Sequence, residues 1–234
     1  MTRARQGEVL SAATPVCSEL AESRARIYRT LSMAYARPAD EQLLGLLRAW
    51  GALERSLPQG AVPGMMKRGL RKIGVWLERH GPQPSDELLA ALGVEFTRLF
   101  RGLSRLHSPP APYESVYLDG GLLYGPSTDR VTQKYRLFHL KGQNNEPPDH
   151  IALELDFMRF LCEREALAWQ TEKRDQDLLE EEDAFLNEHL ASWVGAFCEN
   201  IRRFDATGFY GRLADVTEGW IYCDQMIIKG LTEL

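Results

Sequence analysis

An all-α fold is predicted by three features of this 234-residue sequence. Apolar residues recur at three- and four-residue spacing along most of the chain, and strand pairs joined by Asn-Gly or Asp-Gly turns are absent. The interruptions fall at proline, glycine or a capping residue. A content of 44% hydrophobic and 26% charged residues belongs to the globular class and can bury a core as one domain or two small ones.

Leu20, Arg24, Ile27, Leu31 and Ala34 or Tyr35 mark a first helix, which should stop near Arg37 because Pro38 biases its predecessor away from helical angles. Asp40 is placed to cap a second helix carrying Leu43, Leu44, Leu47 and Trp50, followed by a break from Pro58 to Gly64. Met66, Leu70, Ile73 and Leu77 predict a third, ending near His80-Gly81-Pro82; Ser85 caps a fourth with Leu88, Leu92, Phe96, Leu99 and Phe100. Residues 102–126 are too rich in proline and glycine for a regular helix, but Tyr113, Val116, Tyr117, Leu118, Leu122, Leu123 and Tyr124 argue for a packed surface loop rather than disorder. Thr128 is expected to cap a helix through Val131, Tyr135 and Phe138.

The stretch Asn144 to Met158, reading NNEPPDHIALELDFM, combines two prolines, an Asp-His pair and strand-like alternation. The apolar content runs on through Leu161, Cys162, Leu167 and Trp169, far beyond strand length, so a largely buried helix to about Gln170 is the better reading. Asp149 then falls at its N-cap, accepting from the amide of Ile151 or Ala152, with His150 in the first turn. Two stiff prolines after Gly142-Gln143-Asn144-Asn145 suggest a hinge between an N-terminal helical part, 1–145, and a C-terminal one, 146–234. Further helices are expected from about Asp177 to Phe204, and from Phe209 or Asp215 to Leu231.

Charge divides at the same point. Residues 1–145 hold 20 Lys and Arg against 13 Asp and Glu, a surplus of +7, whereas residues 146–234 hold 8 against 20, a net −12. An acidic C-terminal part disfavours nucleic acid as its partner and suits a basic peptide, while the run Glu180-Glu181-Glu182-Asp183 alone reads as a solvated helix face. Cys17, Cys162, Cys198 and Cys223 form no C-x-x-C pair and are expected to be buried free thiols. No apolar run is long enough to span a bilayer and no signal-peptide core follows the start, so a cytoplasmic location without stable membrane insertion is expected.

Asp149 and His150 make a poor catalytic dyad, since neighbours on a helix do not face each other, and no nucleophile motif accompanies them. His150 and Glu154 share a face at i, i+4, and His189 joining them through tertiary contact would give a metal-dependent hydrolase, the alternative to a binding role. No phosphate-binding G-x-x-x-x-G-K-[ST] loop is present.

Several segments together resemble the TorD/DmsD/NarJ chaperones of molybdenum-containing redox enzymes. The acidic-Pro-x-Asp-His signature stands as Glu146-Pro147-Pro148-Asp149-His150, with Pro148 where the family usually has an acidic or polar residue. Upstream, Ser108-Pro109-Pro110, Ser115 to Asp119 and Tyr124-Gly125-Pro126-Ser127-Thr128 are similar to the DmsD-type loop; downstream, Phe185 to Leu190 with Trp193, and Phe209-Tyr210, follow the family pattern. The resemblance implies an all-helical cytoplasmic protein without catalysis or a cofactor of its own. Its partners would be the twin-arginine leader and apo catalytic subunit of a molybdoenzyme, protected during cofactor insertion and held back from premature Tat export. Leader-binding residues carried over are Tyr113, Ser115, Tyr117, Asp119, Gly125, Asp149 and His150, with Glu146 as a second carboxylate for arginine. A monomer with some domain-swapped dimer is expected from the hinge.

Overall fold

The computed structural model describes residues 3–56, 64–101, 108–140, 146–171 and 175–233, with side chains described from residue 15 onward except at 52–56 and 65. It is all-helical among these residues. The helices are α1 (Arg3–Ala36), α2 (Glu41–Ser56), α3 (Gly64–Arg79), α4 (Asp86–Phe100), α5 (Glu114–Leu118), α6 (Pro126–Leu137), α7 (Ile151–Gln170), α8 (Gln176–Phe185), α9 (Ala191–Phe204) and α10 (Phe209–Thr232). A π-helical turn, Leu186–Leu190, joins α8 to α9. None is long and apolar enough to cross a membrane.

Local chemistry sets most of the ends. α1 stops at Ala36, ahead of Pro38, and is longer than its apolar stripe alone marks out. Asp40 caps α2 by accepting from the Leu43 amide at 2.9 Å, and Ser85 caps α4 by accepting from Leu88 at 3.2 Å. α10 starts at Phe209, after Gly208 in the left-handed conformation (φ 71°). The break from Pro58 to Pro63, the start of the Pro/Gly-rich loop (102–107) and the Gly142–Asn145 part of the hinge lie outside the described residues.

Three expectations need correcting. Thr128 is not a cap: α6 begins two residues earlier with Pro126 at its first position, where a missing amide costs nothing. The segment from Asp177 to Phe204 is not one α-helix but two with the π turn between them. Residues 114–118, expected in a loop, form the short helix α5.

α7 is the central helix, with Ile151, Leu155, Met158, Leu161 and Cys162 fully buried. α1 lies along it and α3 along α10. One hydrophobic cluster contains Tyr28 and Leu31 of α1, Phe96 and Phe100 of α4, Leu155 of α7, Phe197 of α9 and Leu213 of α10, so apolar burial joins residues from both sides of Asn145. All four cysteines are free and buried. The acidic run is only partly a solvated face, because Glu182 is buried against Arg24.

Candidate functional site

The site is built where two proline-rich segments cross. Proline lacks an amide, so 109–112 and 146–149 cannot form a ladder, and pairing is confined to one antiparallel bridge between Tyr113 and His150. Glu114 donates its amide to the Asp149 carbonyl and Ile151 donates to the Pro112 carbonyl, both at 2.9 Å. This bridge fixes α5 against the start of α7.

Asp149 caps a helix, but not the expected one. Its Oδ2 accepts from the Ser115 amide at 2.9 Å, in the first turn of α5, where its own N-cap Tyr113 offers no side-chain acceptor. The N-cap of α7 is instead His150, whose Nδ1 accepts from the Ala152 amide at 3.1 Å, which puts its proton on Nε2. Burial pushes the imidazole down to about 4, so it is neutral near pH 7.

Below the bridge lies a second layer of buried acids. His189, carried on the π turn, meets Glu114 through Nδ1 at 2.8 Å; Trp193 donates Nε1–H to Glu154 Oε2 at 3.1 Å. Burial, reinforced by the charge of Glu114, drives the Glu154 carboxyl well above the usual carboxylate range. His150, Glu154 and His189 are thus each engaged with different groups, and among the described residues no group of three or more His, Cys, Asp or Glu is placed to hold a metal. The three do not form the hydrolase centre that their types allow.

Surface chemistry begins at Glu146. Its carboxylate accepts from the Tyr113 hydroxyl and lies 3.3 Å from the Arg101 guanidinium. Burial alone would raise this carboxyl, but the Tyr113 hydroxyl and the Arg101 charge bring it below the usual value, so it stays ionised. Tyr135 donates to the Pro148 carbonyl at 3.0 Å, and Tyr117 packs on Trp193 with ring centroids 5.2 Å apart. Asp119 accepts from the Ser127 amide at 2.8 Å and caps α6 from a distance. That approach explains Gly125, where an added Cβ would sit 2.4 Å from Asp119 Oδ2.

The expected site residues therefore fall into two sets. Ser115, Gly125, Asp149 and His150 are buried and hold the frame, whereas Tyr113, Tyr117, Asp119 and Glu146 are partly exposed. Beside them the chain turns at Gly120 and Gly121 (φ 69° and 86°), and Leu118, Leu122, Leu123 and Tyr124 stand in solvent, Leu122 at 64% and Tyr124 at 65% exposure. Sequence reasoning missed Arg101, Glu114 and Tyr135. Only the spacing of Glu114 beside the already suspect Ser115 offered a signal for any of them.

Fold and site together define an all-helical protein whose distinctive region presents a carboxylate and exposed apolar side chains from a proline-braced loop. The chain matches the family described as Nitrate reductase delta subunit over residues 62–199, and it belongs to that family. It is 31% identical to the chaperone protein TorD of Vibrio cholerae (El Tor Inaba) over 91% of this chain and 94% of that one. It is 26% identical to TorD of Shewanella pealeana over 86% and 87%. A solved structure from Archaeoglobus fulgidus covers 83% of this chain and 91% of its own at 23% identity and a TM-score of 0.47. The sequence resemblance and the family match agree, and the chain is a TorD-family chaperone.

Proposed function

We propose that this protein is a cytoplasmic maturation chaperone that binds the twin-arginine leader and apo catalytic subunit of a molybdopterin-containing oxidoreductase, assists cofactor insertion and holds the client back from premature Tat export. One observation carries the reading: a partly exposed, ionised Glu146 sits on the segment bridged to the one that leaves Leu118, Leu122, Leu123 and Tyr124 in solvent. A leader with paired arginines ahead of an apolar stretch needs that combination. Glu146 is the arginine receptor in this reading. Asp149, fully buried with Oδ2 on the Ser115 amide, positions the loop rather than touching peptide.

Arg101 already occupies the Glu146 carboxylate. An incoming arginine competes with it, which makes a test with opposite signs possible. In calorimetric titration with a leader peptide, Glu146→Gln should weaken binding about tenfold, and Leu123→Asp by a similar factor. Arg101→Ala should tighten it. Absence of binding, or affinity indifferent to all three substitutions, rejects the site. Light scattering during the same work separates a monomer from a domain-swapped dimer exchanging its parts about the 145/146 boundary.

A further inference from the structure

Away from the bridged loop, α3 presents a basic stripe with no assigned role. Arg68, Arg71, Lys72, Val75 and Arg79 are all exposed, at a spacing that places them on one helix face. The opposite face buries Met66, Leu70, Ile73, Trp76 and Leu77. Gly69 lets this helix lie directly on α10, since a Cβ there would come within 2.8 Å of the Val216 amide nitrogen. The close approach brings Arg212 of α10 to the edge of the stripe. Between the helices lies a groove of about 200 Å³, lined by Arg71, Lys72, Val75, Trp76, Arg79 and Arg212.

The cations in this groove are not equally engaged. Lys72 pairs with Asp215 at 2.7 Å, and Arg212 donates to the Gly208 carbonyl. Trp76 is held in place, its ring stacked on the exposed His80 at 3.9 Å and its indole N–H donated to the Thr207 carbonyl at 3.2 Å. Arg71 and Arg79 have no hydrogen-bond or ion-pair partner among the described residues. Two planar guanidiniums flanking a rigid apolar floor are suited to a carboxylate next to an apolar side chain.

We propose that the α3/α10 groove is a docking site for an acidic segment of a partner protein, separate from the leader-binding loop. The surroundings favour a narrow peptide over an extended polyanion. Glu78 of the same helix and Asp215, paired with Lys72, border the stripe, and the chain carries a net charge of −5, so a membrane or a nucleic acid laid across this face would meet repulsion that a single short segment avoids. A concave floor at Trp76 also takes one side chain rather than a flat lipid surface. Identifying the partner with the client rests on the proposed function, but the groove's preference for an acidic segment does not.

The test uses the full chain and a short fluorescein-labelled peptide of Asp and Glu with a Leu at every third position, followed by fluorescence anisotropy at low salt. Saturable binding is expected, weakened at least about tenfold by Arg71→Glu with Arg79→Glu and by replacing each peptide Leu with Ala, and reduced by raised salt. Arg71→Ala with Arg79→Ala should show the same direction at unchanged thermal midpoint, which separates lost docking from lost folding. Glu146→Gln should leave this peptide unaffected while weakening a leader peptide, so the two sites fail independently. No saturable binding, binding indifferent to both arginine pairs or to the Leu replacements, or tighter binding to phosphatidylglycerol vesicles or a single-stranded oligonucleotide would overturn the proposal.

Discussion

Around Arg24, three carboxylates from three other helices close on one fully buried guanidinium: Asp224 at 2.6 Å, Glu182 at 2.5 Å, and Glu165. Around α5, by contrast, Glu114, Asp149 and Glu154 are just as deeply buried, yet they face an imidazole, a backbone amide and an indole, and among the described residues the exposed Arg130 alone forms an ion pair with them, at 3.8 Å from Glu114. Among the described residues the first group leaves one acid oxygen without a hydrogen bond, Glu182 Oε1; the second leaves Glu114 Oε1, Asp149 Oδ1 and Glu154 Oε1, with Ser115 Oγ beside them. Buried charge thus serves two ends in one fold. Near Arg24 it ties α1, α7, α8 and α10 together, while near α5 the acids position a loop through hydrogen bonds to an imidazole, a backbone amide and an indole.

The largest expected effect comes from breaking the first arrangement. Arg24→Met strands three acids in the interior, and removing one partner of a buried ion pair costs roughly 3–5 kcal/mol. Urea denaturation should show a fall of that order. Glu114→Gln, which weakens the contact to His189 while keeping an acceptor oxygen at the position, should cost about 1–3 kcal/mol. Equal losses for the two would abolish the distinction between clamp and frame.

How far this was visible beforehand follows from distance along the chain. Caps at Asp40 and Ser85, the stop before Pro38 and the long helix after His150 depend on neighbours, and each is legible in the sequence. Arg24 was legible as one member of an apolar stripe, but its acids lie 141 to 200 residues away, and no local pattern announces such a partnership. Asp149 misled for the same reason. Its position before a helix suits a local cap, yet the bridge brings the α5 amides closer, and His150 takes the vacated role. Five of the 20 acids in the C-terminal part are also interior, Asp149, Glu154, Glu165, Glu182 and Asp224, rather than arrayed for a peptide. Family resemblance pointed to the bridged segments, while only the fold separates their buried frame residues from their surface residues.

Titration should separate one group of each region, Glu182 and His150, in opposite directions. Burial, against the pull of Arg24, pushes Glu182 from its ordinary 4.5 up to about 8. A raised acid binds its proton more tightly in the folded state, so this contribution is complete below pH 4.5 and is lost as pH climbs through 8. Burial moves His150 from 6.5 down to about 4, so its contribution is complete above pH 6.5 and disappears as pH falls toward 4. Stability measured from pH 4 to 9 should pass through a maximum, each limb no steeper than about 1.4 kcal/mol per pH unit for each group. Glu182→Gln should make the alkaline limb shallower, leaving the shares of the raised acids Glu154 and Glu165, and His150→Asn, which keeps a capping acceptor, should do the same to the acid limb. Either substitution flattening the other's limb would show that the regions are not independent.

The smallest effect tests whether the frame extends past α5. Asp119 holds the start of α6 through the Ser127 amide and hydroxyl, at 2.8 and 3.1 Å, and loss of such a cap in Asp119→Ala should cost about 1 kcal/mol. Gly125→Ala attacks the same contact from the other side, because its Cβ would meet Asp119 Oδ2 at 2.4 Å and Cγ at 2.9 Å. Both of those atoms vanish in Asp119→Ala, leaving only the Asp119 Cβ at 2.8 Å to be relieved by a small shift. The double variant should therefore be less destabilised than the sum of the singles. Full additivity in urea denaturation would mean that Gly125 is required for some other reason than the approach of Asp119.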